Sequence, residues 1–341
     1  MQERYSRQTR FQPIGHAGQQ QIQQKHVLII GAGALGSANA EALTRAGVGT
    51  ITIIDRDYVE ESNLHRQSLY TEHDAIHKTP KAIAAKNALN KINENVTIHA
   101  IVDDVTVRNI VECASGKDII MDGTDNFETR RMVNDIAYQK GIPWIYGACV
   151  GSYGTTMTFI PKHTPCFHCL FPETPLHQET CDTVGIIAPT VQMVVSHQVA
   201  SALKLLVGAI SSVDQRWTSF DVWHNQHYAM DVHNAYGDQC PTCGSSPSFP
   251  NLNHSNTTKT TVLCGRDSVQ VRPAAPKEIN LGRMTALLQK EGFSVTSNDY
   301  LLSANKGTKR IILFMNGRAI FHGTNDEKEA RQLYQRYIPE G

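Results

Sequence analysis

Short apolar runs and amphipathic segments alternate along the first 150 residues of the chain. The apolar runs have the length and β-branched content of buried strands, and the segments between them repeat apolar positions with a helical period. Strands are predicted at 26–30, 50–54, 96–102, 118–121 and 143–149, and helices at 34–46, 80–93, 106–114 and 127–140. This alternation predicts an α/β fold with a doubly wound, mostly parallel sheet.

The pattern changes beyond residue 150. Residues 153–160 alternate Thr with aromatic and apolar side chains, which predicts an antiparallel extension of the sheet. Residues 244–260 contain mostly Ser, Pro, Asn and Thr and are predicted to form a linker between a first domain, 1–243, and a small α/β domain, 261–341. Further elements are predicted as helices at 188–207, 281–291 and 326–337, strands near 216–231, and a hairpin turn at 315–317.

Composition narrows the classes of partner. Lys plus Arg and Asp plus Glu number 32 each, so the chain has no general attraction to nucleic acid or to an anionic membrane, and neither is expected as a partner. The N-terminus lacks an apolar signal segment, and no apolar run reaches membrane-spanning length. Eight cysteines, four of them in metal-ligand spacing, fit a reducing compartment, so a cytoplasmic location is expected.

Two CxxC pairs, Cys166–Cys169 and Cys240–Cys243, indicate a metal site. Two residues between ligands let one tight turn present both thiolates to a single ion, and two such turns complete a tetrahedral shell for Zn²⁺. Because cysteine fills all four positions, no coordination site remains for water, and the predicted zinc is structural. The alternative is a pair of disulfides or unrelated thiols.

A glycine-rich loop separates the first strand from the first helix. Gly31, Gly33 and Gly36 lack Cβ atoms and let the backbone approach a phosphate, while the helix start offers N–H donors and a positive dipole end. Asp55 ends the second strand, where its carboxylate can accept ribose hydroxyls. This Rossmann-like arrangement fits NAD, FAD or ATP. The alternative is a tight structural turn followed by an unrelated strand-end Asp.

Further charged side chains follow the strand ends and favour ATP. Asp57 and Asn63 come after the second strand, with Arg66 and Lys81 beyond them, and Asp125 follows the fourth strand. Carboxyl ends of neighbouring parallel strands form one crevice, so these groups are expected around one ligand. Nucleotidyl transfer needs cations for the phosphates and a carboxylate for Mg²⁺.

Two other functions share part of this pattern. A zinc-containing NAD-dependent oxidoreductase would use the glycine loop and Asp55, but it leaves Arg66, Lys81 and Asp125 unexplained and lacks an open zinc position. A zinc-stabilised nucleotide-binding scaffold without catalysis is the third possibility, although every key side chain is present.

The motifs of this chain, taken in the order in which they occur, resemble those of the ThiF/MoeB adenylyltransferases, which are bacterial relatives of ubiquitin-activating enzymes. The resemblance covers residues 1 to about 243 and rests on the following motifs: Arg4-Tyr5-Ser6-Arg7-Gln8, the glycine loop, Asp55-x-Asp57, Asn63-x-x-Arg66-Gln67, Pro80-Lys81, Thr124-Asp125-Asn126 and the two CxxC pairs. It implies that ATP and the C-terminal Gly-Gly carboxylate of a small ubiquitin-fold sulfur carrier give an acyl-adenylate and pyrophosphate, in thiamine or molybdopterin biosynthesis.

The resemblance also implies roles for individual residues. Asp55 would hold the ribose, the glycine loop would lie under the nucleotide, and Asn63 would help to position the phosphates. Arg66 and Lys81 would neutralise the phosphates, and Asp125 would bind Mg²⁺. Arg7 would reach into the partner subunit's site, which requires a homodimer, and Cys181 would take the carrier as a covalent adduct. No catalytic base is needed, because the attacking carboxylate is already ionised near pH 7.

Several points stay open at this stage. Lys78 competes with Lys81 for the phosphate role, and Cys181 has an alternative as an incidental loop cysteine. Residues 261–341 are too short for a rhodanese domain, so a separate sulfur donor is expected. The choice between thiamine and molybdopterin carriers, and the task of the small domain, are left undecided.

Overall fold

The computed structural model describes residues 3–173, 181–253, 259–263, 267–275 and 277–338. By its internal contacts the chain divides into two units, residues 1–253 and 254–341. The division falls within the segment 244–260 that the sequence assigns to a linker. Every helix in the described ranges is too short or too polar to cross a membrane.

The first unit is built on an eight-stranded sheet with the order β3-β2-β1-β4-β5-β6-β7-β8. Strands β1 to β5 pair in parallel, and β6, β7 and β8 extend the sheet in antiparallel fashion, as predicted. The strands are β1 (His26–Ile30), β2 (Thr50–Ile54), β3 (Thr97–Ile101), β4 (Ile119–Asp122), β5 (Trp144–Val150), β6 (Tyr153–Phe159), β7 (Trp217–Asp221) and β8 (Gln226–Met230).

Helices precede the first strand, connect the strands of the parallel part, and lie between β6 and β7. They are α1 (Gly15–Ile22), α2 (Ala34–Ala46), α3 (Glu72–Ile76), α4 (Lys81–Ile92), α5 (Ile110–Ala114), α6 (Phe127–Lys140), α7 (Phe167–Leu170), α8 (Cys181–Val184) and α9 (Ala188–Leu206), with short 3-10 helices at Glu3–Tyr5, Glu61–Asn63, Ile210–Ser212, His233–Ala235 and Pro250–Leu252. Helix α5 is shorter than predicted, because the Asn109 side chain accepts from Thr106 N at 2.8 Å and closes a turn before the helix begins.

The central strands of the sheet are buried on both faces. Strands β1 and β2 are runs of Ile, Val, Leu and Thr in which all residues after the first are buried, as expected for central parallel strands. Trp144 stacks on Phe159 with ring centroids 4.6 Å apart and anchors the core beneath the antiparallel extension. Each fully buried side chain of this size stabilises the fold by about 1.5–3 kcal/mol.

The second unit is a six-stranded antiparallel sheet with the order β11-β12-β13-β14-β10-β9. The predicted hairpin joins β13 to β14, and Gly317 adopts φ +81° in its turn. The elements are β9 (Lys259–Leu263), β10 (Ser268–Arg272), α10 (Leu281–Lys290), β11 (Ser294–Ser297), β12 (Leu301–Lys306), β13 (Lys309–Phe314), β14 (Ala319–His322) and α11 (Glu327–Tyr337). Both helices contribute buried residues to the core of this unit.

Candidate active site

The glycine loop lies against the chain at the end of β4. Gly31 has φ +86°, and a Cβ there would stand 2.6 Å from Gly123 O, whereas a Cβ on Gly36 would stand 1.7 Å from Gly31 O. Gly123 in turn packs on Gly31 and Gly36, so these three glycines are required by close backbone contact. Gly33, at the N-cap of α2, has no atom within 4 Å of its Cβ position. The loop is therefore open at Gly33.

Asp55 ties the end of β2 to this loop. Its Oδ2 accepts from Ala32 N and its Oδ1 from Asp57 N, both at 2.6 Å. Burial raises the pKa of this carboxyl, and the nearby charge of Lys81 opposes that change. Because a carboxylate can accept about four hydrogen bonds, acceptor capacity remains after these two. The buried Tyr70 hydroxyl fixes the other side of the loop by donating to Ala32 O at 2.5 Å.

Lys81 is a buried cation beside this carboxylate. It is the first residue of α4, is 4% exposed, and its backbone N donates to Asp57 O at 2.9 Å. Its Nζ lies 3.5 Å from Asp57 Oδ2, which supplies the counter-charge that a buried ammonium needs. Of the two candidate lysines, the structure thus places Lys81 next to the Asp55–Asp57 segment. Lys78 lies in the preceding turn with a positive φ of 48°.

Asn63 and Arg66 lie on the loop that follows β2. The Asn63 side chain is buried and its Oδ1 accepts from Glu60 N at 3.1 Å, which caps the short helix around it. Arg66 is half-buried; its Nη1 donates to Ser62 O at 2.9 Å and lies 3.4 Å from the His65 ring. In this structure the Arg66 guanidinium therefore contacts its own loop, and its role at the phosphates stays a prediction.

Asp125 lies just beyond β4 on a turn that is stabilised by hydrogen bonds to Asp122 and Arg130. Asp122 Oδ1 accepts from Thr124 N at 2.9 Å and from Thr124 Oγ1 at 2.6 Å, while its Oδ2 accepts from Arg130 Nε at 2.9 Å. Arg130 also donates to Thr124 O at 2.7 Å and to Gly147 O at 3.0 Å. The turn is thus rigidly fixed, and the Asp125 side chain is exposed.

The Asp122–Arg130 pair is fully internal. Burial acts to lower the pKa of the Arg130 guanidinium, but Asp122, Tyr146 and Asp125 together raise it by more, so the pKa is raised and the charge is kept. This arginine is not identifiable from the sequence, because an Arg in the first turn of a predicted helix is most simply a surface charge.

A second residue missed from sequence is Gln198, in the middle of α9. Its Nε2 donates to Asp122 O at 2.9 Å and to Ile145 O at 3.2 Å, and its Oε1 accepts from Asn39 Nδ2 at 2.7 Å. Gly147 leaves room for this amide, since a Cβ there would stand 2.6 Å from Gln198 Nε2. The amide joins helices α2 and α9 to the ends of β4 and β5 below the crevice.

The remaining two catalytic predictions are Arg7 and Cys181. Arg7 is exposed on the turn after the first 3-10 helix. That segment is anchored by buried Tyr5, whose OH accepts from Asn93 Nδ2 at 2.8 Å. Cys181 begins α8, but its side chain and residues 174–180 before it lie outside the described residues.

The structure brings the four CxxC cysteines together, with all Sγ atoms within 4.8 Å of one another. The Sγ–Sγ distances are 3.8 Å for Cys166–Cys169, 3.5 Å for Cys166–Cys240 and 3.3 Å for Cys169–Cys243. Four thiolates about 2.3 Å from one Zn²⁺ in a tetrahedron would stand about 3.8 Å apart, so the cluster fits zinc after slight expansion. The hydrogen bond from Cys166 holds the pKa of Cys169 well below its usual range.

Asp135 supports the second cysteine pair from α6. It is completely buried; its Oδ1 accepts from Thr242 Oγ1 at 2.5 Å, and its Oδ2 accepts from Asn251 N and Nδ2 at 2.9 Å. Thr242 lies inside the Cys240–Cys243 turn, so one carboxylate fastens this turn and the segment after it to helix α6. Hydrogen bonds of this kind orient metal ligands.

Comparison with known proteins places this site in context. The chain matches the model of the ThiF family over residues 5–242. It is 48% identical over 98% of this chain and 99% of the relative to the sulfur carrier protein ThiS adenylyltransferase of Bacillus subtilis. It is 34% identical over 72% of this chain and 97% of the relative to the Escherichia coli protein of the same description. The crystal structure of E. coli MccB with MccA-N7isoASN shares the fold, with a TM-score of 0.63 and 22% identity over 72% of this chain and 76% of that chain.

Proposed function

Because the chain belongs to the ThiF family, we propose that it is an adenylyltransferase that activates the C-terminal Gly-Gly carboxylate of a small ubiquitin-fold sulfur carrier with ATP. The observation that carries this proposal is the crevice in which the open loop at Gly33, the ribose-type carboxylate of Asp55 and the buried cation of Lys81 meet. The oxidoreductase alternative leaves this buried lysine unexplained.

The chemistry follows from charge and alignment. An oxygen of the carrier carboxylate attacks the α-phosphorus of ATP, a carboxyl–phosphorus bond forms, and the bond to the β-phosphate oxygen breaks to release pyrophosphate. No base is required, since the carboxylate is ionised near pH 7. The N-terminus of α2 attracts the phosphates, Asp55 accepts the ribose hydroxyls, and Lys81 exchanges its long contact with Asp57 for a phosphate oxygen.

Two arginines complete this proposal. Within the described residues the Arg66 guanidinium contacts a carbonyl and a histidine ring and pairs with no carboxylate, so rotation of its side chain toward a phosphate loses little. Arg7 stands exposed on an anchored segment, which suits entry into the site of a partner subunit in a homodimer.

Two metals belong to the proposal. Asp125 offers an exposed carboxylate oxygen beside the crevice, which fits Mg²⁺ shared with ATP phosphates and would supply charge neutralisation. The four-cysteine cluster fits a structural Zn²⁺, because thiolates fill its tetrahedron. Thiolate ligands need a reducing compartment, so we place the protein in the cytoplasm.

The carrier is proposed to be a ThiS-type protein that serves thiamine biosynthesis, because the relative aligned over nearly the whole chain is described as a ThiS adenylyltransferase. Sulfur would come from a separate donor. The Cys181 thiolate would then attack the carbonyl of the acyl-adenylate, so that a thioester to the carrier forms and AMP leaves. Mass spectrometry of the wild type and Cys181→Ser with the carrier and ATP is the test. Loss of the adduct with retained adenylation is expected, and an adduct that persists in Cys181→Ser refutes this role.

Exchange of labelled pyrophosphate into ATP tests the main proposal. Zinc-loaded protein should support exchange with Mg²⁺ and a carrier ending in Gly-Gly, and not with the same carrier lacking both glycines. Asp125→Ala should abolish exchange, and Lys81→Met should reduce it at least about 100-fold. Absence of exchange with both ThiS-type and molybdopterin carriers, together with tighter binding of NADH than of ATP, would favour the oxidoreductase instead.

A further inference from the structure

If the protein binds ATP as proposed, the order of the strands fixes the direction in which the nucleotide lies. Phosphates bind at the glycine loop after β1, and the ribose binds at Asp55 after β2. The next strand in this direction is β3, which pairs with the far edge of β2. The base of a bound nucleotide would therefore lie beyond Asp55, against the chain that follows β2 and β3.

That location is occupied by an ion pair with no role so far. Arg56 directly follows Asp55, and its Nη1 lies 3.5 Å from Oδ1 of Asp104, which follows β3. The two side chains are 24% and 15% exposed, so each keeps a small accessible surface. The Asp104 backbone is anchored, since its carbonyl accepts from Asn109 Nδ2 at 2.8 Å and its N–H donates to Asp103 Oδ1 at 2.8 Å.

Arg56 stays charged in this position. Burial acts to lower its pKa, but the carboxylate of Asp104, followed by those of Asp57, Asp125 and Asp55, raises it. These carboxylates stand at the ends of three different strands, so the guanidinium lies where β2, β3 and β4 open into the crevice.

We infer that Arg56, held in place by Asp104, is the nucleobase-binding residue of this site and stacks its planar guanidinium on the face of the purine. A guanidinium suits this task because it is planar, weakly hydrated and permanently charged, whereas an ammonium is a compact, strongly hydrated charge. Asp104 contributes by fixing the plane of the cation before the nucleotide arrives.

The alternative role for Arg56 is contact with the phosphates. Two compounds that each carry only part of ATP distinguish this role from base stacking. Adenosine carries the base and ribose without phosphates, and inorganic tripolyphosphate carries the phosphates without a base. Both are tested as competitive inhibitors of pyrophosphate exchange by the full-length, zinc-loaded protein. Arg56→Met, which keeps the apolar stem, should raise the Ki of adenosine and the KM for ATP about tenfold. The Ki of tripolyphosphate and kcat should change less than about twofold.

Three results would overturn the inference: an unchanged Ki for adenosine, a Ki for tripolyphosphate that rises as much as that for adenosine, or full recovery of adenosine binding in Arg56→Lys. Arg45→Met is the matched control, since Arg45 pairs with Glu41 on the exposed face of α2 and should leave both Ki values unchanged. Thermal melting of each variant checks folding. A wild type without exchange activity contradicts the proposed function, whereas an active wild type with a normal Arg56→Met contradicts only this inference.

Discussion

Replacing Arg130 by Met tests how the Asp122–Asp125 turn is held. The substitution keeps the apolar stem but removes donors to Asp122 Oδ2, Thr124 O and Gly147 O. Both partners of the ion pair are nearly inaccessible, with side-chain exposures of 6% for Arg130 and 0% for Asp122. The variant therefore leaves a carboxylate buried without its counter-charge.

The expected loss in free energy of unfolding is about 3–5 kcal/mol, the range for removal of one partner of a buried ion pair. The hydrogen bonds from the charged guanidinium to the two carbonyls contribute about 1.5–3 kcal/mol each, so their loss and the unpaired carboxylate both contribute substantially. Adding Asp122→Asn to Arg130→Met should restore part of the stability, because no buried charge then lacks a partner.

Tryptophan fluorescence during urea denaturation is the appropriate assay. All three tryptophans, Trp144, Trp217 and Trp223, lie in the first unit, so the signal reports that unit alone. Trp144 is completely buried and packs near Tyr146, over which the Arg130 guanidinium lies 4.8 Å from the ring centroid.

Arg45→Met serves as control here too, since its pair with Glu41 is exposed and should contribute less than about 1 kcal/mol. The reasoning fails if Arg130→Met costs no more than Arg45→Met, or if the double variant is less stable than the sum of the two single changes.

Three further predictions concern the loop, the four-cysteine cluster and pH. Gly36→Ala should prevent folding of the loop, because its Cβ would stand 1.7 Å from a carbonyl oxygen. Gly33→Ala should keep the melting temperature of the wild type and weaken ATP binding measured by calorimetry. Equal melting temperatures of the two variants would contradict this prediction. Cys240→Ser, or treatment with a strong chelator, should lower the stability of the first unit as measured by tryptophan fluorescence. The circular dichroism signal of the second unit should persist. An unchanged stability of the first unit would exclude a structural metal. Burial lowers the pKa of His26 from 6.5 to about 4, so its stabilising contribution is complete above pH 6.5 and is lost as pH falls toward 4. The variant His26→Gln should therefore show a flatter pH dependence of the free energy of unfolding between pH 6.5 and 4. A pH profile identical to that of the wild type would contradict this prediction.

Short sequence patterns predict many of the secondary-structure elements of this fold. The runs at 26–30 and 50–54, and the helix at 34–46, were located to the residue, because apolar periodicity and flanking glycines act within a few positions. Helix α5 was predicted too long because a side chain, Asn109, closes the preceding turn, which periodicity does not encode.

The same distinction applies to the site. The glycine loop, Asp55 and the CxxC pairs are identifiable from sequence, since backbone approach, strand-end carboxylates and metal-ligand spacing are short-range requirements. Their supports are not: Gln198 meets Asn39 across 159 positions, and Asn251 meets Asp135 across 116. Which distant elements touch is decided only by the packed sheet, where a buried polar group must find whichever partner lies beside it. The chain by itself thus determined its strands, its loop chemistry and its two cysteine pairs, while packing alone decided which buried side chains hold them in register.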